Sequence, residues 1–305
     1  MNTDASPMPA APDSGAAARR RPRTALVIGS GALKCIAAFG AVKVLRQEGI
    51  GIDMVVGCSG GCFCAVWIAE GAGDADAEAA RFSRGWEGSF DAISYRRLAL
   101  ACLPSIAKTD RRFALLDDRR VNAAIADYVG ERTFADASLP LYLVATDAAS
   151  GEKVVLSDGR LFDAIRASIA IPLILPPWTV AGQDLVDGGV SDPLPIDVAM
   201  REGADVIIAM GFEEHIEGAR SGLQQQLLHL KSLTVNNLIR SQYAFYSVTH
   251  HAEVILLKPE FDRPVGLRAL HHVPYLLEEG ERAARAQVPY LRRLLGLAMQ
   301  PTEVG

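Results

Sequence analysis

Short apolar runs alternate with longer segments of helical spacing along most of the chain. The run at 24–28 predicts a buried strand, and the apolar positions of 33–47 recur on one side of a helix. A second short strand at 54–56 leads through a glycine-rich turn into an apolar helix that extends to Glu70. This alternation predicts an α/β fold with a mostly parallel sheet and helices on both faces. Further strands are predicted at 141–146, 153–156, 205–210 and 253–257, and further helices at 118–129, 160–168, 193–202, 224–249 and 275–297.

Composition and charge narrow the class of protein. Half of the 305 residues are hydrophobic and 22% are charged, which supplies enough apolar material for a sizeable core. We expect one domain, because α/β folds of about 250 residues and more often form a single unit. The formal net charge is −5, without the basic surface that a nucleic-acid-binding protein needs, so neither DNA nor RNA is an expected partner.

The two ends of the chain differ in composition from its centre. Residues 1–23 contain no Val, Ile, Leu or aromatic residue and are predicted to form a disordered tail. No apolar run precedes or accompanies the arginines of this tail, so a secretory signal is not predicted. The longest apolar stretch, 169–180, contains three prolines and is too short to span a bilayer. We expect a core over 24–210 and, in the same domain, a helical extension with one strand over 211–305.

The five cysteines form an odd-numbered, sparse set that favours a reducing compartment. We therefore expect a cytoplasmic protein that is at most peripheral at a membrane. No C-x-x-C pair occurs, and Cys62 and Cys64 lack a second cluster that would complete four zinc ligands, so no metal site is predicted. The cysteines are interpreted as small buried residues: Cys35, Cys58, Cys62, Cys64 and Cys102.

The pentapeptide at 57–61 fits the pattern G-x-S-x-G, with an apolar strand before it and an apolar helix after it. The small residues Gly57 and Gly61 permit a sharp turn that lifts the Ser59 hydroxyl away from the sheet edge. The helix N-terminus then directs backbone N–H groups toward developing negative charge. Ser59 is thus a candidate nucleophile, although the same pentapeptide also occurs as a purely structural turn.

A serine hydroxyl is a weak nucleophile and needs a base within hydrogen-bonding reach. An α/β-hydrolase would supply an Asp and then a His, but only one strand and one helix precede Ser59, and no turn motif presents any of the six histidines. We interpret the histidines as surface or helix-packing residues. The stronger candidate base is Asp187, because Gly188 and Gly189 let the backbone turn tightly and leave the carboxylate unobstructed. Alone, such a triplet is usually only a turn.

A third glycine-containing turn, Gly29-Ser30-Gly31, opens the first helix. One interpretation is a dinucleotide fingerprint, but Lys34 stands where the third glycine belongs, and Asp53 lies before the second strand rather than at its end. The other interpretation is an oxyanion hole, in which backbone N–H groups point at an acyl oxygen beside the nucleophile. Only the oxyanion hole explains both turns together.

Taken in order, these motifs resemble those of the patatin-like phospholipase family, in its bacterial single-domain form. The similarity runs from about Ala25 to Met210. It implies a three-layer α/β/α fold and a Ser-Asp dyad that cleaves lipid carboxyl esters, of phospholipid or lysophospholipid, through an acyl-enzyme and with no metal or organic cofactor. The matching segments are 29–34 with Gly40, then 57–61, 167–172, 187–189 and 193–195.

The resemblance assigns a role to each matching residue. Ser59 corresponds to the nucleophile and Asp187 to its base. The oxyanion would be bound by the amides at Ser30 and Gly31, with Gly60. Lys34 falls where the family has Arg or Lys, and it either attracts an anionic head group or pins the loop. The motifs are completed by Gly29, Gly57, Gly61, Gly188 and Gly189.

Two positions depart from the family pattern. Most members have glycine where Ser30 stands, and a side chain is tolerable there if φ stays negative. Cys35 replaces another usual glycine, and it either packs in place or distorts the turn and lowers activity. Cys35 and the altered oxyanion turn motivate an alternative hypothesis, a catalytically weak or inactive patatin-like protein that binds lipid or membrane. A nucleotide-dependent oxidoreductase ranks last.

The segment 93–120 is amphipathic and basic. Its part from Arg96 to Arg120 carries seven basic and three acidic residues with leucines interleaved. This pattern is typical of a segment that contacts an anionic membrane surface or covers an active site, although a solvated helical excursion has the same pattern. The helices at 224–250 and 275–297 are compatible with covering the sheet edge, lining an acyl cleft or pairing two protomers, so the sequence favours no oligomeric state.

Overall fold

A computed structural model describes residues 20–71, 73–89, 114–213, 223–249 and 252–298. The strands in these ranges are β1 (Thr24–Ile28), β2 (Met54–Cys58), β3 (Leu141–Asp147), β4 (Lys153–Leu156), β5 (Trp178–Val180), β6 (Gln183–Asp187), β7 (Val206–Met210) and β8 (Glu253–Leu257). The helices are α1 (Ala37–Gln47), α2 (Gly61–Ala69), α3 (Ala75–Trp86), α4 (Arg119–Val129), α5 (Leu161–Ser168), α6 (Ile196–Arg201), α7 (Leu223–Thr249) and α8 (Val273–Leu294).

The strands form one mixed sheet in the order β5-β6-β3-β2-β1-β7-β8, with β4 also paired to β3. The strands from β3 to β8 in this order are parallel, which confirms the predicted parallel centre. β4 and β6 run antiparallel to β3, and β5 runs antiparallel to β6. The short connections from β3 to β4 and from β5 to β6 explain these two antiparallel pairs, because a few residues can close a hairpin whereas a parallel return needs a dozen or more.

The hairpin of β5 and β6 was not predicted from the sequence. Its turn consists of Ala181 and Gly182, both with positive φ, as a two-residue hairpin of twisted strands requires. β5 has three residues and follows two prolines, so it shows no alternation long enough to indicate a strand. The helix α3 was likewise not predicted.

The pairing of β6 with β3 brings the motif at Asp187 next to the motif at Ser59. β3 pairs through residues 141–144 with β2 on one edge, and through residues 143–146 with β4 on the other. β6 pairs with residues 145–147 of β3, so it lies on the same edge as β2 and directly beyond the end of that strand. In this register Asp187 stands opposite Ala145, next to the Val144 that pairs with Cys58.

Helices cover both faces of the sheet, which confirms the three-layer α/β/α fold. Along β1, Leu26 and Ile28 belong to the core on the side of α1, α2 and α8, whereas Ala25 and Val27 belong to the core on the side of α6 and α7. In the part of the chain that the structure describes, no helix combines the length and the apolar character needed to cross a bilayer.

Two predicted segments lie largely outside the described residues, namely 1–19 of the tail and 93–113 of the amphipathic segment. The part of the amphipathic segment that is described begins at Ala114. Its backbone N–H groups at Leu115 and Leu116 donate to the carbonyls of Leu173 and Ile174. In the extension after residue 210, β8 pairs with β7 and α8 packs against α1.

Candidate active site

The turn between β2 and α2 holds Ser59 in a left-handed conformation, with φ of +53°. A non-glycine residue in this region costs about 1–3 kcal/mol and persists only where its surroundings fix it. Those surroundings are tight: a Cβ on Gly57 would lie 2.8 Å from Ala65 Cβ, and one on Gly61 would lie 2.5 Å from the Ile28 carbonyl oxygen. The two flanking glycines are therefore required by close packing around the turn.

Ser168, the last residue of α5, holds the turn from the side. The Ser59 N–H donates to Ser168 Oγ at 2.8 Å, and this hydroxyl donates to the Val144 carbonyl at 2.6 Å. The Ser168 side chain is fully buried. Sequence analysis placed Ser168 in a family motif without assigning it a role, and its hydrogen bonds now indicate one: it fixes the backbone of the candidate nucleophile relative to β3.

The structure brings the two predicted catalytic side chains into direct contact. Ser59 Oγ donates to Asp187 Oδ2 at 2.6 Å, and both residues are only 6% exposed. Asp187 Oδ1 accepts the Gly189 N–H at 2.8 Å, which orients the carboxylate. The Asp187 backbone is fixed as well, because its N–H donates to the Ala170 carbonyl and its carbonyl accepts the Thr146 hydroxyl. These contacts hold the carboxylate in place beside the serine.

The glycine turn after β1 touches the nucleophile turn, because a Cβ on Gly60 would lie 2.4 Å from the Ala32 carbonyl oxygen. The Ser30 amide, predicted as an oxyanion donor, has another acceptor in this structure. That N–H donates to the Pro193 carbonyl at 2.7 Å, since the segment after Asp187 crosses the loop. Among the described residues, the N–H groups of Gly31, Ala32 and Gly60 have no acceptor.

Ala32 is a candidate that the sequence did not reveal. Its φ is +50°, a conformation that an alanine in the sequence gives no reason to expect. Ser30, in contrast, is absent from the positive-φ residues, as its side chain requires. The amides at Gly31, Ala32 and Gly60 are therefore candidate donors for an oxyanion.

Cys35, the second family departure, and Lys34, the basic motif residue, have structural partners. Cys35 is buried, and its thiol donates to the Gly29 carbonyl at 3.4 Å, which supports the packing interpretation. Lys34 is also buried and donates from Nζ to the Glu213 carbonyl at 3.0 Å. This contact ties the loop to the segment after β7 and supports the pinning interpretation.

The described cysteines are buried and free, which confirms their interpretation as small core residues; Cys102 lies outside the described residues. Burial raises the pKa of the Cys62 thiol to about 12 and raises the pKa values of Cys35 and Cys58 well above the ordinary range. These thiols next to the turn therefore stay protonated at neutral pH and do not compete with the Ser59 hydroxyl as nucleophiles.

A buried ion-pair network anchors the segment that follows Asp187. Lys153 Nζ lies 2.7 Å from Asp192 and also bonds Asp197. Asp192 additionally accepts a hydrogen bond from Gln242 of α7 at 2.7 Å. Burial raises the pKa of Asp192, so its charged form depends on these partners. The network was not predicted, because its members lie far apart in the sequence.

The histidines whose side chains the structure describes, His271 and His272, lie in a short 3-10 turn just before α8, exposed and partly exposed respectively. They do not contact the dyad. This agrees with their interpretation as surface residues. The remaining four histidines lie outside the described side chains.

The site combines a serine on a strand-to-helix turn, a carboxylate in contact with that serine and unbonded amides nearby. These features are those of an α/β protein with a nucleophile elbow. A model of the patatin-like phospholipase family matches residues 26–200. The chain belongs to the patatin-like phospholipase family.

Individual relatives agree with this assignment. Over 229 residues the chain is 31% identical to an uncharacterized NTE family protein of Mycobacterium tuberculosis, covering 75% of this chain and 59% of the relative. It is 30% identical to patatin-like phospholipase domain-containing protein 7 of Rattus norvegicus over 194 residues, or 61% of this chain and 13% of the relative. The chain thus spans well under two thirds of these relatives.

Two solved structures match the chain at low sequence identity. VipD from Legionella pneumophila matches with a TM-score of 0.48 and 13% identity, covering 88% of this chain and 67% of VipD. The type III effector protein ExoU matches with a TM-score of 0.43 and 16% identity, covering 89% of this chain and 53% of ExoU.

Proposed function

We propose that the chain is a serine acyl hydrolase that cleaves carboxyl esters of lipids, phospholipid or lysophospholipid, with Ser59 as nucleophile and Asp187 as its base. One observation carries the proposal: Ser59 Oγ, raised on a strained turn, donates a hydrogen bond to Asp187 Oδ2 at 2.6 Å. This is the arrangement in which a carboxylate takes the hydroxyl proton as the oxygen attacks.

The reaction proceeds in two halves. Ser59 Oγ attacks the ester carbon while its proton passes to Asp187, and the tetrahedral intermediate carries a negative charge on the former carbonyl oxygen. The N–H groups of Gly31, Ala32 and Gly60 are available to stabilise this charge. Collapse releases the alcohol, which takes the proton from Asp187 and leaves acyl-Ser59. Water then cleaves this ester.

A second function is favoured by one specific observation. The Ser30 N–H donates to the Pro193 carbonyl, which leaves one fewer amide for the oxyanion. A patatin-like protein that binds lipid with little or no turnover is compatible with this loss. Peripheral membrane contact through 93–120 and a cytoplasmic location remain predictions.

The test compares the wild type with Ser59→Ala and Asp187→Asn in hydrolysis of short and long p-nitrophenyl esters. We expect both variants to lose activity by about two or more orders of magnitude. Matched controls are Ser83→Ala on α3 and Asp127→Asn on the exposed face of α4, which should leave turnover unchanged. Circular dichroism establishes that each variant is folded. A folded wild type that hydrolyses no ester, and whose Ser59 resists a fluorophosphonate, would support the lipid-binding alternative instead.

A further inference from the structure

The side chain of Ser30 lies close to the candidate base. A Cβ built on Gly189 would lie 2.8 Å from Ser30 Oγ and 3.0 Å from Asp187 Oδ1, so the hydroxyl and the carboxylate flank the same Cα. Ser30 is partly exposed, and its hydroxyl has no hydrogen-bond partner among the described residues. An uncommitted hydroxyl therefore lies beside the candidate base.

The two halves of the proposed reaction make different demands on this region. Acylation starts from a hydrogen bond that already exists between Ser59 Oγ and Asp187 Oδ2. In acyl-Ser59 that oxygen carries no hydrogen, so the second half needs a water molecule held at the same carboxylate. The other polar groups nearby are committed: the Gly189 N–H bonds Asp187 Oδ1, and the Thr146 hydroxyl bonds the Asp187 carbonyl and Ser191.

We propose, on the basis of the proposed function, that Ser30 Oγ positions the hydrolytic water for deacylation. The water donates one hydrogen to Asp187 and the other to Ser30 Oγ. Its oxygen attacks the carbon of acyl-Ser59 while the first proton passes to Asp187. The tetrahedral intermediate collapses by breaking the bond from this carbon to Ser59 Oγ, and Asp187 returns the proton to that oxygen. The product is a free carboxylic acid, and Ser30 is unchanged.

The test separates acylation from deacylation in Ser30→Ala and Ser30→Gly. Rapid mixing with p-nitrophenyl butyrate measures the first turnover, and intact-protein mass spectrometry follows the decay of isolated acyl-enzyme. We expect the first turnover and kcat/KM to stay within about threefold of the wild type. Decay should slow by about tenfold or more, as the loss of one hydrogen bond to a reacting group allows. Then kcat and KM fall together and acyl-enzyme accumulates.

A purely structural role for Ser30 gives a different result. Distortion of the oxyanion loop would slow fluorophosphonate labelling of Ser59 and lower kcat/KM, and that outcome would overturn the proposal. Hydroxylamine, a stronger nucleophile than water, should restore turnover in Ser30→Ala only if water placement is the defect. Unchanged decay in a folded Ser30→Ala also refutes the role of Ser30. Failure of the wild type to form any acyl-enzyme refutes the proposed function itself, so the two failures are distinguishable.

Discussion

Replacing Ser168 by alanine removes the group that ties the nucleophile turn to the sheet. Two buried backbone groups lose their partner, the Ser59 N–H and the Val144 carbonyl. Each buried polar group left without a hydrogen bond costs about 1–3 kcal/mol, so we expect Ser168→Ala to lower the free energy of unfolding by about 2–4 kcal/mol. A domain with about 5–15 kcal/mol of stability still folds after this loss.

The same substitution should affect activity beyond its effect on stability. The positive φ of Ser59 is strained, and the Ser168 hydroxyl is one of the contacts that maintain it. When the turn relaxes, Ser59 Oγ moves away from Asp187, and a displacement of about 1 Å can cost roughly a hundredfold in rate. We expect fluorophosphonate labelling of the folded variant to slow by more than about tenfold.

Urea unfolding followed by circular dichroism measures the stability change. Ser247→Ala, on the exposed surface of α7, is the matched control and should change stability by no more than about 0.5 kcal/mol. A loss below about 1 kcal/mol in Ser168→Ala, together with normal labelling of Ser59, would refute the reasoning. It would mean that the glycine packing alone fixes the turn.

Two further predictions concern the surroundings of the site. Lys153→Met should lower the free energy of unfolding by about 3–5 kcal/mol at pH 7, because it removes the cation that is paired with the buried Asp192, whereas Asp197 keeps its ion pair with Arg201. Burial raises the pKa of Asp192 in the folded state, so above the ordinary pKa of an aspartate the folded state binds more protons than the unfolded state. Asp192 becomes neutral as the pH is lowered toward 4, so the loss of stability caused by Lys153→Met should shrink. Urea unfolding at pH 7 and at pH 4 tests this. Gly280→Ala should destabilise the protein by about 1–3 kcal/mol, because its Cβ would lie 1.7 Å from the Ala37 carbonyl oxygen. The matched variant Gly85→Ala, in open space on α3, should stabilise it by up to about 1 kcal/mol. Thermal unfolding that ranks the two glycine variants in the opposite order would contradict the close packing of α1 and α8.

The features that the sequence predicts are those with a local signature. The strands β1 and β2 are continuous apolar runs bounded by glycine, and the turns at Ser59 and Asp187 are marked by their own neighbours. Because the motifs are ordered along the chain, the family resemblance could place both residues at one site. The structure agrees by bringing the two side chains into hydrogen-bonding contact.

The features that the sequence did not predict depend on contacts between distant segments. The acceptor of the Ser30 amide is the Pro193 carbonyl, and only the folded chain brings the two together. The positive φ of Ala32 has no sequence signal, since alanine rarely adopts it. The partners of Lys153 come from two segments about 40 residues away. Each of these features is a consequence of tertiary structure rather than of a local pattern.

β6 lies on the same edge of β3 as β2. The register in which β6 pairs with β3 therefore sets the distance between the two candidate catalytic residues. Asp187 faces the serine because it pairs with Ala145, and side chains alternate between the two faces of a strand. A slip of β6 by one residue would place Val186 or Gly188 at this position and turn the carboxylate to the opposite face. Labelling of Ser59 therefore also measures whether the antiparallel edge of the sheet has formed in its native register.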